Sequence, residues 1–494
     1  MEFIKKIGYD ISVSLDEIIS PIPVRTTQLP EIEVAPPVVE EENRQEIKPI
    51  VIAPRKRENK SIILLIGLII VAVLGLVVFI VKNKNKISLS NKVTINYWGL
   101  WEESNVMDTV ISDFEAKNPG IKINYKKNQI TDYRTRLKSK LAKTETSTDE
   151  DGVDVFRFHA SWMPNFKDDL ASVPTTTAKN LDLDKDFYEV YKRDLQINGV
   201  YKAIPIMYDG LSLFYNKDLL DKAGSALPQT WTDLLAAAEK MQVVDESGNI
   251  KVAGAALGLT ENVDHWSDIV GLMLQQSGKG EQNAKDVISY YTYFATNKKL
   301  WNESLPPSTE FFASGRLGFY FGPSWRIFDI ETKNPQLNFG ITTVPQLQTS
   351  EAGQANNLTN IHWSSYWVEG VNKKSKKQKE IWKFMEFLAS KESMQKMFSV
   401  ASQVRSFGEI SPRKSEQTQM MANAKIKPFV MAADNAYSWY LSSNTFDNGI
   451  NDEMIKYFGD AINGITSGQK SIDDAITTLQ SGITQVKQRY NINK

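Results

Sequence analysis

The sequence predicts an α/β protein preceded by a disordered N-terminal tail and a single transmembrane helix. From Lys92 onward, short β-prone runs alternate with amphipathic helical runs, which is the pattern of an α/β fold. The run Ile62–Val81 contains no charged or strongly polar side chain. All eleven tryptophans lie at or after Trp98, so the residues before it differ in kind from the rest. The 494-residue chain is long enough for more than one domain, or for a two-lobed one.

The composition excludes several kinds of functional site. The chain contains no Cys, which excludes structural disulfides, thiol nucleophiles and zinc sites built on cysteine. Its three histidines, His159, His265 and His362, have none of the spacings of a metal site. A formal net charge of −1 gives no reason to expect a nucleic acid as partner. We therefore expect no metal site, no cofactor and no nucleic-acid partner.

Catalytic motifs are missing from the sequence as well. It has no G-x-S-x-G element, no glycine-rich phosphate loop and no cluster of metal ligands. Carboxylate pairs of the kind that a glycosidase uses occur in any chain of this composition, so they do not indicate one. We therefore expect that the protein is not an enzyme.

Residues 1–60 are predicted to be a largely disordered tail. The segment 20–54 is rich in Pro, Glu and Val, and such a segment cannot bury enough apolar surface to offset its ordering entropy. Within Met1–Ile19, apolar residues recur at helical spacing. A short amphipathic helix that docks on a partner or on a membrane surface is therefore the alternative to a weakly ordered end.

Residues 61–81 are predicted to form a transmembrane signal-anchor helix, followed by a linker over residues 82–91. The apolar run matches the ~20 residues that cross a ~30 Å hydrocarbon core as a helix. The tail before it is too long for a cleaved signal peptide. Lys and Arg number six in residues 41–60 and four in residues 82–101, so the positive-inside rule predicts a cytoplasmic N-terminus. The large domain, residues 92–494, is then extracytoplasmic.

The large domain begins with alternating strands and helices. The predicted strands are Val93–Tyr97, Ile121–Tyr125 and Val153–Phe158, and the predicted helices are Ser104 to about Lys117 and Tyr133–Lys143. In open α/β sheets, ligands bind outside the carboxyl ends of the strands. Four candidate ligand-binding residues follow those ends: Trp98, Trp101, Glu102 and Trp162. Local packing is the alternative for each tryptophan.

The stretch Tyr201–Gly224 is predicted to form two short β-segments followed by a helix. The run Leu211–Tyr215 alternates in side-chain character, and the Asn216 side chain can cap the helix that follows. Tyr208 and Asp209 lie between the two segments and are also candidate ligand-binding residues. On pattern alone, such a stretch is typical of any α/β protein.

The rest of the large domain continues the alternation of strands and helices. The predicted helices are Trp231–Met241, Asn262–Gln276 and Lys379–Ala389, and the predicted strands are Gly254–Leu259, Leu317–Phe321, Phe339–Pro345 and Ile361–Val371. Five further candidates lie at strand ends, in strands or near helix starts: Trp266, Trp325, Arg326, Trp363 and Trp367. His265 can pair with Asp268 or face water, and we expect it to face water.

Residues 92–494 resemble the extracellular solute-binding proteins of ABC transporters, in the sugar-binding class that includes the maltose-binding protein family. The resemblance rests on an ordered series of motifs. These are FEAKNPGIK at Phe114–Lys122, VDVF at Val153–Phe156 with Val in place of Pro, the stretch Tyr201–Gly224, PQTWTDL at Pro228–Leu234 with Asp in place of Glu, FFASGRLGFYFGPSW at Phe311–Trp325, and KEIWKFMEFLA at Lys379–Ala389 with Ser390 and Glu392.

The resemblance implies two α/β lobes joined by hinge strands, with the ligand held between them. Lobe one is expected at about 92–206 with 361–402, and lobe two at about 212–344 with 410–494. The family also implies a monomeric binding domain that closes on its ligand and is then recognised by ABC transporter permease subunits. The lipid-modified Cys that anchors many members is missing here, which leaves the apolar run as the expected anchor.

A carbohydrate is the expected ligand, and an oligosaccharide in particular. The candidate set is rich in aromatic side chains, which suit the CH faces of a pyranose, and its few polar groups suit the hydroxyl rim. The predicted function is capture of this ligand by lobe closure and its delivery to an importer. The alternative is a membrane-anchored ligand sensor or scaffold that uses the same binding domain.

Overall fold

The structure is a computed structural model that describes residues 92–143, 152–348 and 358–492. The predicted tail, transmembrane helix and linker before residue 92 lie outside these ranges, so they stay predictions. Among the helices of the described ranges, none is both long enough and apolar enough to cross a membrane.

The described chain alternates strands and helices from Val93 onward. The strands are β1 (Val93–Gly99), β2 (Ile121–Lys127), β3 (Val155–His159), β4 (Gln196–Ile197), β5 (Val200–Tyr201), β6 (Ala203–Pro205), β7 (Ser212–Asn216), β8 (Val243–Val244), β9 (Ile250–Ala255), β10 (Leu317–Gly322), β11 (Phe339–Thr342), β12 (His362–Trp363), β13 (Trp367–Val371) and β14 (Ala436–Tyr437).

The α-helices lie between these strands and at the C-terminal end. They are α1 (Ser104–Lys117), α2 (Tyr133–Lys143), α3 (Met163–Phe166), α4 (Thr175–Asn180), α5 (Glu189–Leu195), α6 (Lys217–Lys222), α7 (Trp231–Met241), α8 (Trp266–Gln276), α9 (Ala284–Thr296), α10 (Ser308–Ala313), α11 (Arg326–Lys333), α12 (Gln378–Leu388), α13 (Lys391–Ala401), α14 (Gln417–Met420), α15 (Lys427–Ala432), α16 (Ile450–Thr466) and α17 (Ile472–Arg489).

A first five-stranded sheet has the order β2-β1-β3-β13-β6. β1 runs parallel to β2 and β3, whereas β13 runs antiparallel to β3 and β6. The carboxyl ends of β1 and β3 therefore meet at one edge of the sheet. The antiparallel β13 begins at that same edge, since Trp367 is the register partner of His159.

A second five-stranded sheet has the order β11-β7-β10-β9-β8. β10 runs parallel to β9 and antiparallel to β7. The carboxyl ends of β9 and β10 thus share an edge, and the loop to α11 leaves from it. Together the two sheets form the two lobes of an α/β fold, which confirms that part of the predicted fold class.

The chain crosses between the sheets at hydrogen-bonded segments. The first crossing, residues 206–211, connects β6 to β7, and the Tyr208 N–H donates to the Ile410 carbonyl at 2.8 Å. The Leu211 N–H donates to the Trp363 carbonyl at 3.0 Å, and the Ser365 N–H donates to the Asp209 carbonyl at 3.1 Å. The crossing segments are therefore held together by hydrogen bonds between their backbones.

Several element boundaries follow from local chemistry. The Asn216 side chain accepts from the Leu219 N–H at 3.1 Å and caps α6, and Gly224 follows this helix with a φ of +59°. Thr230 and Asp233 form a reciprocal capping box at the start of α7. Trp231, just after this cap, is completely buried and stacks on Phe321 at 5.5 Å.

Three predicted elements differ most from the structure. The helix predicted from Asn262 begins only at Trp266, because the Asp264 carboxylate accepts from the Thr309 N–H and thereby ties that turn to α10. The predicted strand at Gly254–Leu259 lies at Ile250–Ala255 and ends before Gly258, whose φ is +101°. The strand predicted at Ile361–Val371 is divided into β12 and β13, because Ser364 and Ser365 pair with other segments.

Candidate functional site

A cavity of about 380 Å³ lies where the ligand edges of the two sheets meet the crossing segments. The loop after β1, the first crossing, the start of α8, the loop before α11 and the start of β13 all contribute to its wall. The aromatic residues of the wall are Trp101, Trp325, Phe328, Trp363, Trp367 and Phe446. The hydrogen-bonding side chains of the wall are Asp209, His265, Asp268, Ser365, Arg405, Glu409, Ser443 and Asn444.

Five of the eleven predicted site residues line this cavity: Trp101, Asp209, Trp325, Trp363 and Trp367. Trp101 and Trp367 both stand on the first sheet, and their rings meet edge to face at 5.2 Å. Trp325 comes from the second sheet and is 37% exposed. Aromatic faces from both sheets therefore reach one cavity.

The other six predicted residues do not line the cavity: Trp98, Glu102, Trp162, Tyr208, Trp266 and Arg326. Trp98 and Trp101 lie only three residues apart, but Trp98 is buried against Tyr133 of α2 at 6.3 Å. Tyr208 is buried against Tyr188 at 5.2 Å, and Trp266 lies partly buried beside Gly459 of α16. A ligand role for these three residues stays a prediction without support from their position.

The remaining three residues lie behind residues that line the cavity. They are Trp162, Arg326 and Glu102. Trp162 is completely buried behind Trp367, with 5.2 Å between the ring centres. The Arg326 guanidinium lies 4.3 Å from the centre of the Trp325 ring. Glu102 pairs with the buried Arg157, whose guanidinium lies 5.0 Å from the Trp101 ring. Each of them can position a cavity tryptophan without touching the ligand.

Arg157 lies between two buried carboxylates beneath Trp101. Its Nε donates to Glu369 Oε1 at 2.7 Å, and its Nη1 donates to Glu102. Burial raises the pKa of both glutamates, while the neighbouring guanidinium acts in the opposite direction. Removing Arg157 would leave two buried carboxylates without their ion-pair partner, so this cluster fixes the wall of the cavity at that point.

His265 is buried rather than solvated, so the expectation that it faces water is wrong. Its Nε2 accepts from Arg326 Nε at 2.9 Å, and its Nδ1 lies 2.9 Å from the Ser443 hydroxyl and 3.6 Å from Asp268 Oδ2. Burial lowers the pKa of His265. Because Nε2 accepts, the proton lies on Nδ1 and the ring is neutral.

Asp268 connects three elements at the floor of the cavity. Its Oδ1 accepts from Trp363 Nε1 at 2.8 Å, and its Oδ2 accepts from the Ser443 N–H at 3.2 Å. Trp363 is itself only 1% exposed. Its ring therefore forms a fixed floor, held by the carboxylate at its edge.

Asp209 lies at the hinge end of the cavity. Its Oδ1 accepts from the N–H groups of Gly210 at 2.8 Å and Ser324 at 3.0 Å, and its Oδ2 accepts from the Ser324 hydroxyl at 3.0 Å. Burial nevertheless raises the pKa of Asp209 to about 7. The carboxylate thus joins the first crossing to the loop before α11 and keeps one face towards the cavity.

Sequence reasoning missed several wall residues, six of them in the C-terminal third. Arg405 and Glu409, which pair at 2.8 Å, lie between α13 and the segment that meets the first crossing. Ser443, Asn444 and Phe446 lie in the SSNTFDNG run before α16. That run of Ser, Asn, Asp and Gly is a recognisable turn pattern, but it does not show which sheet the turn approaches.

The wall combines aromatic faces with hydrogen-bonding groups, which is suited to holding a small organic molecule. In residues 92–143, 152–348 and 358–492, no group of three His, Asp or Glu side chains is arranged to hold a metal ion. The chemistry supported by the cavity is therefore binding by stacking and hydrogen bonding.

Comparison with known proteins gives a family match and relatives of low sequence identity. A family model described as bacterial extracellular solute-binding protein matches residues 100–395. The multiple sugar-binding protein of Streptococcus mutans serotype c is 23% identical over 397 residues, which are 76% of this chain and 88% of that protein.

Solved structures share the fold at low sequence identity. The sugar-binding protein MalE from Xanthomonas citri superposes with a TM-score of 0.63 at 17% identity, over 81% of this chain and 100% of that one. The GacH receptor of Streptomyces glaucescens, known unliganded and in complex with acarbose, superposes with a TM-score of 0.58 at 20% identity, over 82% of this chain and 100% of that one.

Proposed function

Because this chain belongs to the family of bacterial extracellular solute-binding proteins, we propose that it captures a carbohydrate between its two lobes and delivers it to an ABC importer. An oligosaccharide is the proposed ligand. The lobes are proposed to be about 92–206 with 361–402, and about 212–344 with 410–494. Closure requires that the ligand bind the closed arrangement more tightly than the open one.

One observation supports the carbohydrate most directly. Trp101 and Trp367 from the first sheet and Trp325 from the second reach the same cavity, beside the carboxylates of Asp209 and Asp268. Aromatic side chains from both sheets suit the CH faces of a sugar ring, and carboxylate oxygens suit its hydroxyl groups. The relatives named for sugar, and the neighbour known with acarbose, point in the same direction.

We further propose that residues 61–81 anchor the protein in the cell membrane. The N-terminus would be cytoplasmic, the monomeric binding domain extracytoplasmic, and permease subunits the partner of the closed form. The apolar run and the distribution of Lys and Arg on its two sides support this arrangement.

Tryptophan fluorescence of the full chain, titrated with a panel of mono- and oligosaccharides, tests the proposed function. We expect a saturable change with one class of sugar, because four tryptophans line the cavity. Trp367→Ala should weaken that binding about tenfold or more, since it removes a stacking face. Trp439→Ala, which removes a partly buried tryptophan outside the cavity, is the matched control. A folded chain that responds to no sugar would contradict the proposal.

A further inference from the structure

Phe446 is a large apolar residue in an unfavourable setting. It is 51% exposed and its φ is +51°, in the left-handed region that bulky residues rarely adopt. Both features are disfavoured in a stable protein. A residue such as Asn adopts a positive φ at a lower energetic cost than Phe does. Residues held in sparsely populated conformations cluster at functional sites. Phe446 also lines the cavity.

The loop that carries Phe446, Ser442–Gly449, is firmly held. The carboxylate of the completely buried Asp447 accepts from the N–H groups of Gly449 at 2.9 Å, Asn451 at 3.1 Å and Asp452 at 3.1 Å. At the other end of the loop, the Ser442 N–H donates to Asn451 Oδ1 at 3.2 Å. The fold therefore fixes the Ser442–Gly449 loop and presents Phe446 at its surface.

The mouth of the cavity is poor in hydrogen-bonding groups. Among its wall residues, three are exposed: Trp325, Asn444 and Phe446. The Asn444 amide already donates to the Ser443 hydroxyl at 3.0 Å. A second sugar ring at this position could stack its CH faces on the two aromatic side chains, but among these exposed wall residues only one amide would meet its hydroxyl groups. An apolar group would match this surface better.

The charged groups deeper in the cavity already have hydrogen-bond or ion-pair partners. Asp209 accepts three hydrogen bonds, Asp268 accepts from Trp363 and Ser443, and Arg405 pairs with Glu409. An anionic ligand would therefore face the two aspartates and would have to break the Arg405–Glu409 pair. A neutral ligand with a few hydroxyl groups fits these groups without that cost. The cavity volume of about 380 Å³ lies near the lower end of the ~300–1,000 Å³ range of ligand pockets, which favours a short ligand.

We propose that Trp325 and Phe446 form an aromatic clamp at the mouth of the cavity, and that the ligand is a short neutral glycoside whose outer end is an apolar aglycone. This inference rests on the carbohydrate-binding part of the proposed function, because it assumes that a sugar ring occupies the inner cavity. It differs from the proposed oligosaccharide in that an apolar aglycone takes the place of the outer sugar ring. Phe446 is then a specificity-determining residue, and its exposure and left-handed backbone are retained for ligand contact.

Calorimetric titration of the full chain in lipid nanodiscs tests this inference. The carrier must contain no alkyl glycoside detergent, because such a detergent would itself be a candidate ligand. The probes are the phenyl and methyl glycosides of glucose, galactose, mannose and xylose, together with maltose and cellobiose. For one sugar, the phenyl glycoside should bind about tenfold or more tightly than the methyl glycoside, because the phenyl ring is buried against the clamp.

Two variants and one control assign that preference to the clamp. Phe446→Asn should reduce the phenyl preference to about twofold or less, while affinity for the methyl glycoside changes about twofold or less. Trp325→Ala should also reduce the phenyl preference to about twofold or less, and it should weaken the methyl glycoside as well, because Trp325 also stacks on the sugar ring. Phe446→Asn should also raise the midpoint of thermal unfolding, because Asn tolerates a positive φ and removes an exposed ring. Tyr437→Ala removes a similarly exposed aromatic side chain outside the cavity and should leave both affinities unchanged.

The failure of this inference differs from the failure of the proposed function. If maltose or cellobiose binds and the phenyl glycosides show no advantage, the chain remains a sugar-binding protein and the clamp proposal is wrong. If Phe446→Asn keeps the full phenyl preference, Phe446 does not determine specificity and the proposal is also overturned. If no saccharide or glycoside binds the folded chain, both the proposed function and the clamp proposal are wrong.

Discussion

The tryptophans in and behind the cavity wall have three different roles. Trp363 is buried and held at its edge by Asp268, whereas Trp325 is exposed and held from behind by Arg326. Trp162, completely buried, supports Trp367. A tryptophan predicted at a ligand edge can therefore form the floor, form the clamp or act as a support. These roles differ only in what lies behind the ring.

Asp209 gives a prediction about pH. Burial raises its pKa from the ordinary value of 3.8 to about 7, so the native state binds its proton more tightly than the unfolded chain does. The stabilisation is fully present below about pH 4 and is lost as the pH rises to about 7. Asp209→Asn removes this titration and leaves an amide oxygen that can accept from Gly210 and Ser324.

The measurement is the free energy of unfolding of both chains by denaturant at intervals from pH 4 to pH 8. The stability of the native chain relative to Asp209→Asn should fall as the pH rises to about 7 and stay level above it. Other titrating groups cancel in this difference. A difference that is constant across the range would show that the carboxyl group is not perturbed in the fold.

At the level of secondary structure, caps fix where the helices near the cleft begin. Thr230 and Asp233 close the first turn of α7, directly before the buried Trp231. By contrast, α8 begins four residues later than its sequence pattern predicts, because Asp264 bonds to α10 and leaves His265 just before the helix. A cap is a local feature and is visible in sequence, whereas a tertiary bond that shortens a helix is not.

Thr230→Ala is expected to lower the free energy of unfolding by about 1 kcal/mol, because the Asp233 N–H loses its acceptor. Thermal or denaturant unfolding measures the change. Ser481→Ala, an exposed position within α17, is the matched control and should cause no loss. Equal stability of Thr230→Ala and the native chain would show that the capping box contributes nothing.

At the level of the whole molecule, contacts reach across the cleft at the Ser442–Gly449 loop and the start of α16. Arg134 of α2 donates to the Asn448 carbonyl at 3.0 Å, and the Asn451 amide donates to the Ser161 hydroxyl. α2 and Ser161 belong to the side of the first sheet, whereas α16 packs on α8 and α9. Separation of the lobes would therefore break both contacts.

Arg134→Ala should shift the unliganded chain towards a more open arrangement and weaken sugar binding about threefold to tenfold, since one closed-state hydrogen bond is lost. X-ray scattering should show a larger radius of gyration for the variant, with the two chains becoming alike at saturating sugar. Arg136→Ala is the control, because among the described residues Arg136 donates hydrogen bonds to its neighbours Asn128, Gln129 and Thr131. An unchanged radius of gyration and an unchanged affinity for Arg134→Ala would show that the hydrogen bond from Arg134 to Asn448 does not hold the lobes together.

The sequence by itself determined the succession of elements and the family. Helices such as Trp231–Met241 and Tyr133–Lys143 have the predicted bounds, because their apolar spacing and caps are local properties of the chain. The motif series indicated the two-lobed fold, and aromatic residues after strand ends indicated the side of the sheets on which a ligand would lie.

Only the tertiary structure decided which side chains reach the cavity. Trp98 and Trp101 stand at the same strand end, yet α2 covers the first and leaves the second at the wall. Phe446 belongs to the cavity because the Ser442–Gly449 loop folds back over 200 residues after the first crossing. The direction of a side chain depends on what packs behind it, and in this fold those neighbours come from segments far apart in sequence.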